Sequence, residues 1–399
     1  MNDNERQYAA SWALRGLIFF YFASVGVLLP FLPLVFREKG LSTWQIGVLF
    51  AIGPLVTMTI QTLWGFISDR LKTVKKIIIF QLVVVSMLSG FVFESDNFYL
   101  LLPALFIFYS FAWPVIPLTD SLTLSCIRNI GGNYGHYRLW GSAGFGLTAL
   151  VCGKLFLTYG VGLFTMVYVV LIIICLIMCV FLNDAVYLGK RACLRDFKQM
   201  LTNRDIIIFL LIVTLLSSTN RANDAFMSIF IKSMGGNEAI VGLAWTVAPL
   251  AEIPVFALGG LLLSRYSESA LMTAAAALFV VRWGLFSVIS TPEMIIGAQL
   301  FHGVTFGLLF MCAVSYMSKS VPERLRSSGQ GLLSCFFGGV AGITGSSLGG
   351  LLMSRWGPVS LYTVCTLIST AAFVLFLFRY RQSNAVTRLG TSLRESDKK

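Results

Sequence analysis

Twelve stretches of roughly 20 mainly apolar residues follow one another along this chain, and they limit what it can fold into more than any other feature. They lie near 11–36, 44–67, 77–93, 98–122, 139–159 and 161–182, and then near 206–231, 240–263, 270–290, 293–317, 328–353 and 358–379. A helix of about 20 such residues crosses the ~30 Å hydrocarbon layer of a bilayer. Unbroken runs such as 164–182 do not alternate between apolar and polar, so they require helices rather than barrel strands. The chain is 57% apolar or aromatic and only 12% charged, against about 25% charged in soluble domains. A soluble enzyme, a disordered chain and a nucleic-acid-binding domain are therefore excluded, despite a net charge of +12. The expected fold class is an all-α membrane protein of twelve transmembrane helices. Residues 1–7 are polar, without a basic leader or cleavage site, so the first helix is expected to stay in the chain.

Charge position sets the expected orientation. One side of the membrane collects Arg70, Lys72, Lys75, Lys76, Arg128, Lys190, Arg191, Arg195, Lys198, Arg265, Lys319, Arg324, Arg326 and the basic tail after Arg379. The other side holds only Arg37, Lys39, Lys154, Lys232 and Arg355. Basic loops stay in the cytoplasm, which places both termini there in a multi-pass protein of the cell membrane. The basic surplus is then a topology signal and a contact for anionic lipids, with no nucleic-acid partner. The eight Cys are scattered and show no zinc or redox spacing, so neither a metal nor a cofactor is expected.

The chain also repeats itself. Residues 47–70 align without a gap on 242–265, with matches at Gly47/Gly242, Pro54/Pro249, Leu55/Leu250, Leu63/Leu258, Gly65/Gly260 and Arg70/Arg265. Three of these fall on Gly or Pro, whose backbone roles are the hardest to replace. Both segments form the second helix of a set of six. The expected organisation is therefore a six-helix bundle at 1–185, a cytoplasmic linker at 186–204, a second six-helix bundle at 205–381 and a cytoplasmic tail at 382–399. Two such pseudo-symmetric bundles are the architecture of transporters that rock one half against the other around a central site. Glycines at 141, 144 and 146 and at 338, 342, 345, 349 and 350 suit close packing at moving interfaces.

The run Gly65-Phe-Ile-Ser-Asp69-Arg70, followed by Lys72, Lys75 and Lys76, resembles the signature loop of the major facilitator superfamily, although the usual glycine after the Asp-Arg pair is absent. The resemblance implies a gating role for Gly65, Asp69 and Arg70, latching the cytoplasmic ends of the halves. In the second half Ser264 replaces the Asp. A closer resemblance rests on Asp120, on Tyr134-Gly135-His136-Tyr137-Arg138-Leu139-Trp140-Gly141, and on Arg282 and His302 twenty residues apart. These resemble the sugar/proton symporters of the lactose-permease type and their phenylpropionate and nucleoside permease relatives. The resemblance implies that Asp120 and Arg138 form a charge pair at the substrate, with Trp140 beside it. Two departures stand out: Thr305 replaces the proton-releasing glutamate one turn after the histidine, and Gln299 replaces the lysine one turn before it.

The residues point to a polar site without that resemblance. A charge at the bilayer centre costs ~2.5–3.5 kcal/mol on insertion scales, so charges kept there should face a cavity and pair. Within the spans stand Asp120, Arg138, Arg221, Asp224, Glu252, Arg282 and His302. Pro114 and Pro117 break the fourth span just before Asp120, as happens where a helix lines a cavity. Arg221 and Asp224, three apart, can pair along one helix face. Glu252 has no partner near it in sequence, and burial of a lone carboxylate favours the neutral form that a proton carrier needs. Glu252 is thus the leading proton-coupling residue, with Asp224 and His302 after it. Glu252, Arg282 and His302 are also candidate substrate contacts, and Trp113, Trp140, Trp245, Trp283 and Tyr109 are candidate ring-stacking walls.

The expected activity is proton-coupled import of a sugar or similar small polar solute by a monomer working through alternating access, with no cofactor and the proton as coupling ion. One alternative is import of an aromatic acid or nucleoside, and another is drug/proton antiport. No paired catalytic acids or metal cluster support an enzyme.

Overall fold

The computed structural model describes residues 3–130, 134–182, 184, 200 and 202–396. Most of the expected linker, including Lys190, Arg191, Arg195 and Lys198, lies outside the described residues, as do the side chains of Asp69, Arg128 and Arg324.

The first six helices are α1 (Asp3–Glu38), α2 (Thr43–Leu71), α3 (Lys75–Glu94), α4 in two pieces (Phe98–Ala112 and Val115–Ile130), α5 (Tyr134–Tyr159) and α6 (Phe164–Val180). Then come α7 (Arg204–Ser233), α8 (Glu238–Arg265) and α9 (Glu268–Val288). The tenth, α10, joins Pro292–Ala298 to Leu308–Ser320 through a π-turn at Gly303–Gly307. The eleventh, α11, runs from Arg326–Ser334 through a π-turn at Cys335–Val340 to residue 356, where Gly357 (φ 81°) bends the chain into α12 at 358–396. Eleven continuous helical stretches are long and apolar enough to cross a membrane, and the bend at Gly357 divides the last of them into two. All-α architecture with twelve spans follows. Helix α12 runs on to Ser396, past the expected boundary at 381.

Sequence-local signals set the helix ends. Ser42 and Gln45 form a reciprocal capping box at α2, and Asn97, Asn203, Asn237 and Ser267 cap α4, α7, α8 and α9. Gly40 and Gly235, 195 residues apart, close α1 and α7 with φ of 83° and 85°. A side chain at either position would be strained in that left-handed conformation, so the repeat extends beyond the segment the sequence aligned.

The break in α4 is held by two neighbours. Pro114 has no N–H to give the Ser110 carbonyl, and Trp64 Nε1 fills that role at 2.7 Å. Tyr21 donates its hydroxyl to the Ala112 carbonyl at 2.5 Å. Both orphaned acceptors are satisfied by side chains from α2 and α1, so the kink is a stable part of the bundle.

The two halves pack together along α2 with α11 and α5 with α8. Residues 47–58 of α2 lie against 339–350 of α11, and 146–153 of α5 against 238–246 of α8. A Cβ built on Gly47 would lie 3.0 Å from the Gly350 Cα, and one on Gly242 would lie 3.1 Å from the Gly153 Cα. Backbone meets backbone there, and Thr246 Oγ1 donates to the Gly146 carbonyl at 2.8 Å. This seal lies at the end opposite the termini. Toward the termini, Gly65 and Gly260 each face open space. The three glycine and proline matches of the repeat thus occupy equivalent places: Gly47 and Gly242 at the seal, Pro54 and Pro249 at the central cavity, Gly65 and Gly260 in the open.

Candidate functional site

A cavity of about 230 Å³ lies between the halves at mid-length. Helix α5 lines it with Arg138, Ser142 and Phe145, α8 with Trp245, Pro249 and Glu252, and α10 with Gln299, His302 and Phe306. Each trio is spaced at three and four residues, so one face of each helix is turned inward. Phe22 of α1 and Asn220, Arg221, Asp224 and Met227 of α7 also line the cavity.

Arg138 extends into this space with its guanidinium over the Phe22 ring, 4.0 Å from the centroid. Gly141 makes room for it, since a Cβ there would lie 2.6 Å from Arg138 Nη1 and 2.8 Å from the Phe22 ring. The expected Asp120–Arg138 pair is not formed. Asp120 instead accepts a hydrogen bond from Tyr134 Oη at 2.8 Å, and among the described residues Arg138 has no anionic partner within 4.0 Å. The tyrosine that opens the Tyr134–Gly141 motif takes the carboxylate and leaves the arginine free.

Glu252 is not isolated, contrary to the sequence reading. His302 Nε2 stands 2.9 Å from Glu252 Oε1, while the buried His302 Nδ1 has no partner among the described residues. Close approach of α8 and α10 brings them together: Gly303 packs directly on the Ala251 carbonyl, where any Cβ would collide. The π-turn begins at the next residue after His302, the kind of irregularity that helices often carry at functional sites. The His302 ring lies nearly parallel to Phe306, at 5.0 Å and 17°.

Arg221 and Asp224 pair at 3.4 Å on one face of α7, and Asn220 also donates to Asp224. Arg282 does not line the cavity. It is fully buried behind the wall, where its Nη1 donates to Asn220 Oδ1 and Thr305 Oγ1, each at 3.1 Å, and its Nη2 to Gln299 Oε1 at 2.8 Å. It also stacks over Trp283 at 4.4 Å. Gln299 and Thr305, the two departures from the permease pattern, therefore form the cage of Arg282 with neutral oxygens. The cavity wall carries two guanidiniums (Arg138, Arg221) and two carboxylates (Asp224, Glu252), with Arg282 buried behind it.

Trp140 points away from the cavity and packs edge-on against Trp12 of α1 at 6.1 Å. Residues two apart on a helix lie about 200° apart, so Arg138 and Trp140 cannot share a face. Trp283 is likewise buried outside the cavity, donating to Thr219 Oγ1 at 2.8 Å, whereas Trp245 lines it. Arg70 is exposed at the open end beside Asp69, whose side chain lies outside the described residues. The sequence reading missed Phe22, Ser142, Asn220 and the cage role of Gln299, because neutral polar and aromatic residues give no charge signal.

The chain matches the MFS_1 like family model over residues 11–364. It is 28% identical over 373 residues to a maltose permease of Geobacillus stearothermophilus, covering 92% of this chain and 93% of that one. It is also 27% identical over 316 residues to a probable 3-phenylpropionic acid transporter of Escherichia coli (strain K12), covering 77% and 82%. Its fold matches the crystal structure of the nucleoside transporter NupG with a TM-score of 0.82, at 17% identity over 92% and 97% of the two chains. With a family match across most of its length, the chain belongs to the MFS_1-like family, a multi-pass transporter of the major facilitator superfamily.

Proposed function

We propose that this protein is a proton-coupled symporter that imports a sugar or similar small polar solute by alternating access, as a monomer in the cell membrane with both termini in the cytoplasm. The observation that carries this reading is the unpaired Arg138 of one half sharing a cavity with the Glu252–His302 pair of the other. A ligand that bridges them binds the occluded form better than either open form, and only such differential binding shifts a conformational equilibrium. With the termini inside, the open end faces the cytoplasm, so this is the releasing state. Glu252 is the proton carrier, because its carboxylate faces the cavity and its hydrogen-bond partner, a histidine, can give or take a proton. Asp224 is tied to Arg221 and Asn220 and is less free to do so. The latch of Gly65, Asp69 and Arg70 belongs to the opposite state, in which the cytoplasmic ends meet.

The guanidinium of Arg138, in no ion pair among the described residues, favours a second reading, import of an aromatic acid or nucleoside, in which it takes a carboxylate or other anionic group. Uptake of glucose, maltose, uridine and 3-phenylpropionate into proteoliposomes, with and without an inward proton gradient, separates the two. Gradient-driven uptake of a sugar supports symport, and transport of the acid alone replaces the sugar reading. Glu252→Gln keeps the hydrogen bond to His302 and removes the ionisable group. Accumulation by this variant should fall to the equilibrium level, while counterflow exchange continues. Undiminished accumulation would show that the proton travels elsewhere. Gly141→Ala should push the Arg138 guanidinium off Phe22 and raise the half-saturating solute concentration about tenfold, a loss of one charged hydrogen bond. An unchanged value would mean that Arg138 does not contact the solute.

A further inference from the structure

We propose that a second lobe of the central cavity is a subsite for a flat aryl ring, so that the preferred substrate is a polar head joined to an aryl group. For the chemistry of the head this rests on the sugar reading above. A space of about 210 Å³ lies on the α2, α4 and α11 side of the centre, and Arg221 and Asp224 line both it and the polar cavity on the α5, α8 and α10 side. The ion pair is thus a shared wall between two lobes of different character.

The second lobe is built around an indole. Trp113 stands at the break in α4, its ring parallel to Tyr109 at 5.5 Å and 8°, and Phe50 of α2 also lines the space. Gly53 lets the indole seat itself, since a Cβ there would lie 2.7 Å from Trp113 Nε1. Gly338 of α11 lines the lobe with open space in front of it. Apolar residues and glycines make up over half of the lining, and its polar groups are the ion pair, Thr57, Ser346, the Tyr109 hydroxyl and the Trp113 N–H. The Thr57 hydroxyl is given to the Gly53 carbonyl at 3.1 Å, Ser346 is buried, and Arg221 and Asp224 are engaged with each other. A second sugar ring would bring more hydroxyls than these few groups can pair, at a cost for each one left over. An aryl ring brings none and gains stacking on the indole.

The test uses the purified full-length protein and isothermal titration with four probes: glucose, maltose, 4-nitrophenyl α-glucoside and 3-phenylpropionate. The aryl glucoside is expected to bind about tenfold more tightly than glucose, and maltose no more tightly than glucose. Trp113→Ala should erase the aryl increment and leave glucose affinity within about twofold. Gly53→Ala, which displaces the indole without removing it, should do the same if the alanine variant at 113 does not fold. An aryl glucoside no tighter than glucose, or an equal loss for both ligands in the variants, would overturn the subsite. A maltose increment that vanishes with Trp113 would make the lobe a sugar site and overturn the aryl assignment. Binding of 3-phenylpropionate alone, with a Trp113-dependent contribution, would uphold the subsite and overturn the sugar reading. No binding by any probe overturns both.

Discussion

Uptake by an Arg138→Ala variant is expected to fall at least a hundredfold while the protein stays folded. The arginine lines the cavity and holds no ion pair within 4.0 Å among the described residues, so its removal breaks no salt bridge. What the bundle loses is its contact with Phe22, worth about 0.5–2 kcal/mol. The solute loses more. A hydrogen bond from a charged donor contributes about 1.5–3 kcal/mol, and two from one guanidinium come to roughly 3–6 kcal/mol, more than a hundredfold in affinity. Arg138→Lys keeps the charge without the planar fork and should recover only part of the activity. Initial rates in proteoliposomes, with melting temperature as the control for folding, check this. Uptake near the normal rate in Arg138→Ala would remove the residue from the site.

Gly242→Leu should have the other large effect, on conformation. Gly242 meets Ala149 and Gly153 of α5 so closely that any side chain collides with backbone, which cannot step aside as a flexible side chain does. Overpacking of this kind costs about 1–3 kcal/mol or more, and the contact exists only when the end opposite the termini is closed. The substitution therefore penalises one state of the cycle, and a difference of about 3 kcal/mol changes a two-state ratio by more than a hundredfold. Spin labels replacing the exposed Trp44 of α2 and Trp356 of α11 report on the same end. Their separation should lengthen in the variant, and net transport should drop by more than tenfold. An unaltered distance distribution would mean that the seal tolerates bulk and does not part during transport.

The spans, their number and the repeat were legible because apolar length, glycine and proline are local signals. Charged residues within spans were legible for the same reason, and Arg138, Arg221, Asp224, Glu252 and His302 all line the cavity. Which charge meets which was not legible. Asp120 chose Tyr134, a neutral donor, and Arg282 chose Asn220, Gln299 and Thr305. Amides and hydroxyls satisfy an ion without any mark in charge spacing. The Trp140 assignment overlooked helix geometry, since its angle to Arg138 was available from numbering alone. Glu252 and His302, 50 residues apart, meet through the close α8–α10 contact at Gly303, a tertiary fact with only a glycine as its trace.

The closed end is joined by close main-chain contacts, the Phe226 ring and one threonine hydroxyl, with no ion pair among the described residues crossing it. Parting such a joint strips or restores no ionic hydration shell, so added salt and pH have little purchase on it. The decision to open is then left to the charged groups at mid-depth and to whatever occupies them, which is how a distant door can answer to its cargo without sensing the cargo itself.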